Sequence, residues 1–250
     1  MSKKIVITLS GGMDSVVLLH KAAKVANEVY TITFDYDQRH NRELDNITDQ
    51  LFHVKHFNNK VKFYNTKLDT KFIKNIAPTS SLTNDNIDTP NVKEVMGEAQ
   101  PKSYVPFRNL MFLSMICSHA EAVGADEVWY GAAQADSLAG YWDGSEEFVE
   151  QMNNVTALNR ENRITVKAPL IKMSKKQIIE EGIKLNVDFS LTYTCYSGEY
   201  PCDAESASSA LRLKGFIEAG YKYPLLYKQQ EKLEDLYKKN KCVSIKNRND

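Results

Sequence analysis

Cysteine is scarce. Four cysteines in 250 residues, Cys117, Cys195, Cys202 and Cys242, cannot make the disulfide framework of a small secreted domain. Net charge is missing as well: Lys plus Arg and Asp plus Glu both number 32, so bulk charge gives no polyanion a reason to bind. The tail 222–250 carries only a small basic excess, and nucleic acid is not an expected partner. No run of about 18 apolar residues occurs, and the N-terminal run Ile5–Leu9 is too short for a signal core or a membrane span. The expectation is a soluble, cytoplasmic protein with no membrane partner. Internal repeats are absent.

What is present is alternation. Ile5–Leu9 is a continuous apolar, β-branched run, the pattern of a strand buried on both faces. Helical periodicity follows over Met13–Val25. Val29–Phe34 reads as a second strand, Arg42–His56 as a helix and Val61–Tyr64 as a short third strand. Residues 66–103 are rich in Pro, Ser, Thr, Asn and Asp, which predicts a long polar loop and favours a mobile active-site cover. Further helices are expected over Arg108–Val123, Glu146–Leu158, Lys175–Leu185 (capped by Ser174), Ser206–Ala219 (stopped by Gly220) and Tyr227–Lys239, with a strand at Asp126–Tyr130. Together these predict an α/β fold: a doubly wound, mostly parallel sheet with helices on both faces and a helical C-terminal segment. The length fits one main unit over 1–221 and a tail over 222–250, given about 150 residues per domain. Ligands in such sheets sit at the carboxyl ends of strands, so chemistry is expected in 10–15, 35–40 and 131–143.

The first of these loops is Ser10-Gly11-Gly12-Met13-Asp14-Ser15, between a predicted strand and a predicted helix. Glycines let the backbone approach a ligand closely, and successive N–H groups at a helix start make an anion site. Ser10 and Ser15 add hydroxyls. Asp14, itself negative, suits a Mg²⁺ ion better than a phosphate. A glycine turn with a helix cap would explain any one of these residues but not all of them together. No Lys follows the last glycine, so this is not a Walker A loop.

The loop resembles the SGGxDS loop of the PP-loop ATP pyrophosphatase superfamily, whose fold is that of the adenine nucleotide alpha hydrolases. Other stretches resemble one family within it, the 7-cyano-7-deazaguanine synthases. Phe34-Asp35-Tyr36-Asp37-Gln38-Arg39-His40, followed by Glu43, is similar to its F-D-Y-G-Q-R-H…E segment. Tyr104-Val105-Pro106-Phe107-Arg108-Asn109 is similar to its Y-V-P-x-R-N, and Gly131 to Asp136 with Gly140-Tyr141 to its G-x-N-x-x-D…G-Y. Pro169-Leu170 with Lys172, Thr194-Cys195-Tyr196 and Arg212 to Phe216 complete a resemblance over about residues 4–220.

The resemblance implies ATP and Mg²⁺ as cofactors, adenylation of the carboxyl of a 7-carboxy-7-deazaguanine, and ammonia as the nucleophile. The product is the nitrile or the amide, and a homodimer is implied. It places Ser10 to Ser15, Phe34 and Gly131 at the nucleotide. Asp14, Ser15, Arg108 and Lys172 fall in catalysis, and Tyr36, Arg39, His40, Asp136, Tyr141 and Asp143 around the base. His20, His53, His56 and His119 lack paired metal spacing and read as structural, while Phe112 and Trp129 read as core.

Three departures stand out. Asp37 replaces a glycine, either altering substrate choice or capping the next helix. Trp142-Asp143-Gly144-Ser145 replaces P-D-C-R, where Trp142 either stacks on a purine-like ring or is a partly buried loop aromatic. The family's four zinc cysteines fall, anchored on Arg212, at Cys195, Asp203, Ser206 and Ser209. Serine is a poor zinc ligand, so zinc is not expected, and a helix from Ser206 should substitute for it. Two other functions remain open on the sequence: a nucleotide-binding partner protein without catalysis, and another PP-loop enzyme such as a tRNA thiolation or amidation enzyme.

Overall fold

The computed structural model describes residues 2–37, 44, 46–84, 86–88, 92–95, 101–193, 201 and 206–245. Its elements run β1 (Lys4–Thr8), α1 (Met13–Ala23), β2 (Glu28–Asp35), α2 (Ile47–Phe57), β3 (Lys62–Asp69), α3 (Phe72–Ile76), α4 (Val92–Val95), α5 (Arg108–Val123), β4 (Glu127–Trp129), α6 (Gln134–Leu138), α7 (Glu146–Thr156), β5 (Thr165–Lys167), α8 (Lys175–Lys184), α9 (Ala207–Glu218) and α10 (Gln230–Lys239). The strands form one sheet in the order β3-β2-β1-β4-β5. Every pair is parallel. The expected doubly wound sheet is therefore the one observed.

The centre of the sheet explains its sequence. Ile5, Val6 and Ile7 of β1 are fully buried. Because successive strand side chains point to opposite faces, Ile5 and Ile7 join one core with Leu19 of α1, Val54 of α2 and Ile178 of α8. Val6 joins the other, with Leu113 and Ile116 of α5 and Phe148 of α7. Helices thus cover both faces, as parallel sheets require. Leu233 and Tyr237 of α10 pack into the first of these cores, so the C-terminal helix lies on the sheet's helical layer.

Three parts of the chain differ from the expected pattern. β3 runs eight residues rather than four, paired over its whole length with β2 from Glu28↔Lys62 to Asp35↔Asp69. It lies at the edge of the sheet and its second half is polar, so no apolar run announces it. Residues 66–103 are also not one polar loop. Their first part completes β3, Ser80 to Thr83 form a buried turn, and Val95 packs against Ala139 and Ala207. The edge strand β5 carries no apolar run to announce it, because only Val166 of its three residues is buried.

Strand order reverses between β1 and β4. The crevice outside their carboxyl ends is where ligands bind in sheets of this kind.

Candidate active site

The turn after β1 owes its shape to its own side chains. Gly11 has φ +87°, a conformation open to glycine and costly for other residues. Ser15 is buried, and its hydroxyl donates to the Gly12 carbonyl (2.9 Å) while accepting the Ser10 N–H (3.2 Å). The Ser10 hydroxyl accepts the Gly12 N–H at 3.3 Å and lies 3.1 Å from Ser15 Oγ. Both hydroxyls therefore brace the turn from within. Gly131, at the end of β4, passes so close that a Cβ there would lie 3.6 Å from the Ser15 nitrogen.

The turn opens on a cavity of about 250 Å³ at the switch point. Ser10, Gly12, Met13, Asp14 and Ser15 form one wall. Phe34, Tyr36, Arg108, Gly131, Asp136, Tyr141 and Asp143, all singled out on the sequence, form much of the rest. Leu82 and Ser103, with the adjoining Tyr104, also line it.

Charge at the cavity is arranged in two groups, one around Asp14, whose partner Lys175 lies outside the lining, and one around Arg108. In the first, Lys175 at the start of α8 puts Nζ 2.5 Å from Asp14 Oδ2, with its side chain only 15 % exposed. Burial works to lower the Lys175 pKa, but Asp14 and Asp136 outweigh it and the net shift is upward. Asp136 accepts the Ala133 N–H at 2.8 Å. Its pKa is raised, chiefly by burial and despite Lys175. Asp14 Oδ1 is buried without a hydrogen-bond partner. In the second group, Arg108 donates to the Tyr36 hydroxyl (3.1 Å). Asp143 is 3 % exposed, and burial raises its pKa against the pull of Arg108. Tyr141 OH and Ser103 Oγ are 2.6 Å apart.

Several sequence readings change here. Lys172 is not in the cavity lining; it pairs with Glu146 at 2.8 Å, both exposed. Lys175, three residues on, is the lysine that reaches the turn, and the sequence reading missed it. The signal was there: Ser174 caps α8, which sets Lys175 at its first turn beside the sheet's carboxyl edge. Phe112 is not plain core. It lines the cavity with its ring stacked on Phe34, centroids 3.8 Å apart. Trp142 lies outside the lining, its Nε1–H donating to Tyr104 OH (2.8 Å) and its ring edge-on to Phe107 and Phe148. Its exposed ring packs on those aromatic neighbours rather than on the cavity wall. Asp37 also faces away: it sits at φ +56° and pairs with Lys74 at 2.7 Å. That conformation explains why a glycine suits the position. Arg39, His40, Glu43, Cys195, Cys202 and Asp203 lie outside the described residues. Among the described residues no three His, Cys, Asp or Glu side chains gather to hold a metal. No helix among them is long and apolar enough to cross a membrane.

A parallel sheet of this order, with a braced glycine-serine turn at its switch point, defines a nucleotide-binding α/β protein of the PP-loop class. The family model described as Queuosine biosynthesis protein QueC matches residues 4–220, and the chain belongs to that family. It is 39 % identical over 248 residues to the 7-cyano-7-deazaguanine synthase of Thermoplasma volcanium, covering 96 % of each chain. It is 38 % identical over 227 residues to the 7-cyano-7-deazaguanine synthase of Oceanobacillus iheyensis, covering 90 % of this chain and 98 % of that one. Among solved structures, the NMN synthetase of Francisella tularensis shares the fold at a TM-score of 0.50 and 15 % identity, covering 95 % of this chain and 85 % of that one. A 4-thiouridine synthetase solved with RNA and ATP does so at 0.50 and 16 %, covering 95 % of this chain and 53 % of that one. At such identities the likeness is one of fold. Membership of the family makes the chain an ATP-dependent enzyme of queuosine biosynthesis.

Proposed function

We propose that the chain converts a 7-carboxy-7-deazaguanine to its 7-cyano product by adenylation and attack of ammonia. The observation that carries the reading is one cavity walled both by the anion-binding turn, whose Asp14 is paired from outside the lining by Lys175, and by the polar groups of Arg108, Asp136, Tyr141 and Asp143.

The turn's N–H groups and Lys175 hold the leaving pyrophosphate and take up the charge it gains as it departs. A carboxylate oxygen of the substrate attacks the α-phosphorus, pyrophosphate leaves, and an acyl adenylate remains. Ammonia adds to the acyl carbon and AMP departs, giving the amide. A second ATP activates the amide oxygen in the same way, and loss of AMP and a proton leaves the nitrile. Two activations turn one difficult substitution into steps with a good leaving group.

Residues fit to hold Mg²⁺ are present. Asp14 Oδ1 is buried without a partner, and Asp136 lines the same wall. Mg²⁺ takes carboxylates together with substrate phosphates, and it would supply charge neutralisation there. Arg108 offsets the substrate carboxylate, and Asp143 accepts from the N–H edge of the base. Phe34 and Phe112 offer aromatic faces to a ring.

The test is a reaction with the carboxy-deazaguanine, ATP, Mg²⁺ and ammonium, read by mass spectrometry. AMP and pyrophosphate should form with the nitrile, and ¹⁸O placed in the substrate carboxylate should appear in AMP. ADP and phosphate as products would sink the adenylate. Nucleotide binding without turnover of the carboxy-deazaguanine would overturn the reading.

A further inference from the structure

The resemblance to the deazaguanine synthases implies a zinc site, which falls here on Cys195, Asp203, Ser206 and Ser209. The two members within the described residues do not fit zinc. Ser206 and Ser209 are 6 % and 2 % exposed, and their hydroxyl oxygens lie 2.7 Å apart in a hydrogen bond. A neutral alcohol binds zinc poorly beside thiolate or imidazole, and these hydroxyls are already committed to each other.

The same helix face continues inward. Positions three apart lie together on a helix, and the third of the series is Arg212, fully buried. One of its amino groups donates to the Phe189 carbonyl at 3.1 Å and to the Thr192 hydroxyl at 2.6 Å. Its guanidinium lies 5.0 Å from the centre of the Tyr223 ring and 5.9 Å from that of Phe216. The turn that Arg212 grips runs straight to Tyr193, whose N–H points at the Gly11 carbonyl at 3.5 Å. Arg212 therefore joins α9 to the 189–193 turn, which abuts the phosphate turn, while the Ser206–Ser209 pair closes the start of the same helix.

We propose that the Ser206–Ser209–Arg212 column takes the place of the implied zinc, and that α9 is fastened to the nucleotide site without a metal. A structural zinc contributes its binding energy to folding, so a zinc-held domain loosens when the metal is removed. A chain held by hydrogen bonds and a buried guanidinium has no such dependence. The inference concerns stability and metal content, and it stands or falls independently of the reaction proposed above.

The experiment starts with full-length protein produced in zinc-supplemented medium and purified without chelator or immobilised metal. Its zinc content is measured by plasma mass spectrometry, and its thermal melt is recorded with and without a strong chelator. The expected result is zinc far below one equivalent and an unchanged melt. One equivalent of zinc, or a melt that drops on chelation, overturns the proposal. A second arm restores thiolates in the triple variant Asp203→Cys, Ser206→Cys, Ser209→Cys, which should acquire zinc and a chelator-sensitive melt if it folds. A third arm, Arg212→Met, should lower the melting temperature and speed hydrogen exchange across α9. An unchanged melt in that variant also overturns the proposal, whatever the triple variant does.

Discussion

Lys175 and Asp14 are separated by 161 positions in sequence, yet their charged groups meet at 2.5 Å beside the phosphate turn. Asp14 and Asp136 bring two carboxylates to one wall, and Lys175 is the cation that faces both. Taking it away leaves partly exposed carboxylates, the Asp14 side chain being 24 % exposed, without their counter-charge, so the cost falls below the roughly 3–5 kcal/mol of a fully buried pair, at about 2 kcal/mol. Lys175→Met should therefore lower stability by about that much, read by urea unfolding, and Mg²⁺ should recover part of the loss by binding the freed carboxylates. The same variant should reduce pyrophosphate release by about 100-fold or more, in line with loss of a charge-stabilising donor. Lys172→Met, by contrast, removes an exposed pair with Glu146 and should change stability by no more than about 1 kcal/mol.

Asp143 gives a pH signature. Burial, the leading cause, holds its folded pKa above the ordinary value of 3.8, while Arg108 and the Asn109 backbone N–H act the other way. A carboxyl with a raised folded pKa is most favourable to folding when protonated. Its contribution is complete below pH 3.8 and is lost as pH rises through the folded pKa. Asp143→Asn removes that loss, so the variant should melt higher than the parent at neutral pH and lose the advantage in acid. If Asp143 also takes the N–H edge of the base, kcat/KM should fall about 10–100-fold, the size of one charged hydrogen bond. A variant that melts lower at neutral pH would mean that attraction to Arg108 outweighs desolvation.

The sequence was most informative where structure is local. The turn at 10–15 is a contiguous motif whose serines bond within five residues of each other, so its spelling carried its shape. The β1 core read directly because burial on both faces leaves an unbroken apolar run. β3 beyond Tyr64 was hidden because an edge strand needs no apolar face to pair with β2. Lys175 was hidden for a different reason. Lys172, Lys175 and Lys176 look alike in sequence, and only the contact with Asp14 distinguishes the middle one. Phe112 misled because one helical position can face both the core and the cavity rim.

Asp37 offers a test of its own. An αL conformation costs a non-glycine residue about 1 kcal/mol, and an exposed ion pair such as Asp37–Lys74 returns about 0–1 kcal/mol. The two nearly cancel, so Asp37→Gly should leave stability within about 1 kcal/mol of the parent. Because Asp37 is not part of the cavity wall, KM for the base and for ATP should not change. A shift in base preference would return Asp37 to the role of specificity determinant that its place in the sequence first suggested.

His20 makes the fold sensitive to acid. It is fully buried in the last turn of α1, with Nδ1 3.1 Å from the Leu185 carbonyl and no hydrogen-bond partner at Nε2. Burial lowers its pKa from 6.5 to about 4, with the Leu185 carbonyl opposing and His53 and Lys24 adding to the shift. A depressed folded pKa stabilises the native state above pH 6.5, where the ring is neutral in both states. That advantage is lost as pH falls toward 4, because the unfolded ring takes its proton first. At about 1.4 kcal/mol per unit, the loss across this window comes to about 3 kcal/mol. Asp136 and Asp143 act in the opposite direction over part of the same range, so the total profile is a difference of terms. The contribution of His20 is isolated by comparing unfolding free energies of the parent and His20→Leu at the two ends of the window. The variant should be less stable than the parent at neutral pH, from the lost hydrogen bond to Leu185, and should show the shallower decline toward pH 4. Equal slopes for both proteins would mean that water reaches the ring and that its burial is relieved before it titrates.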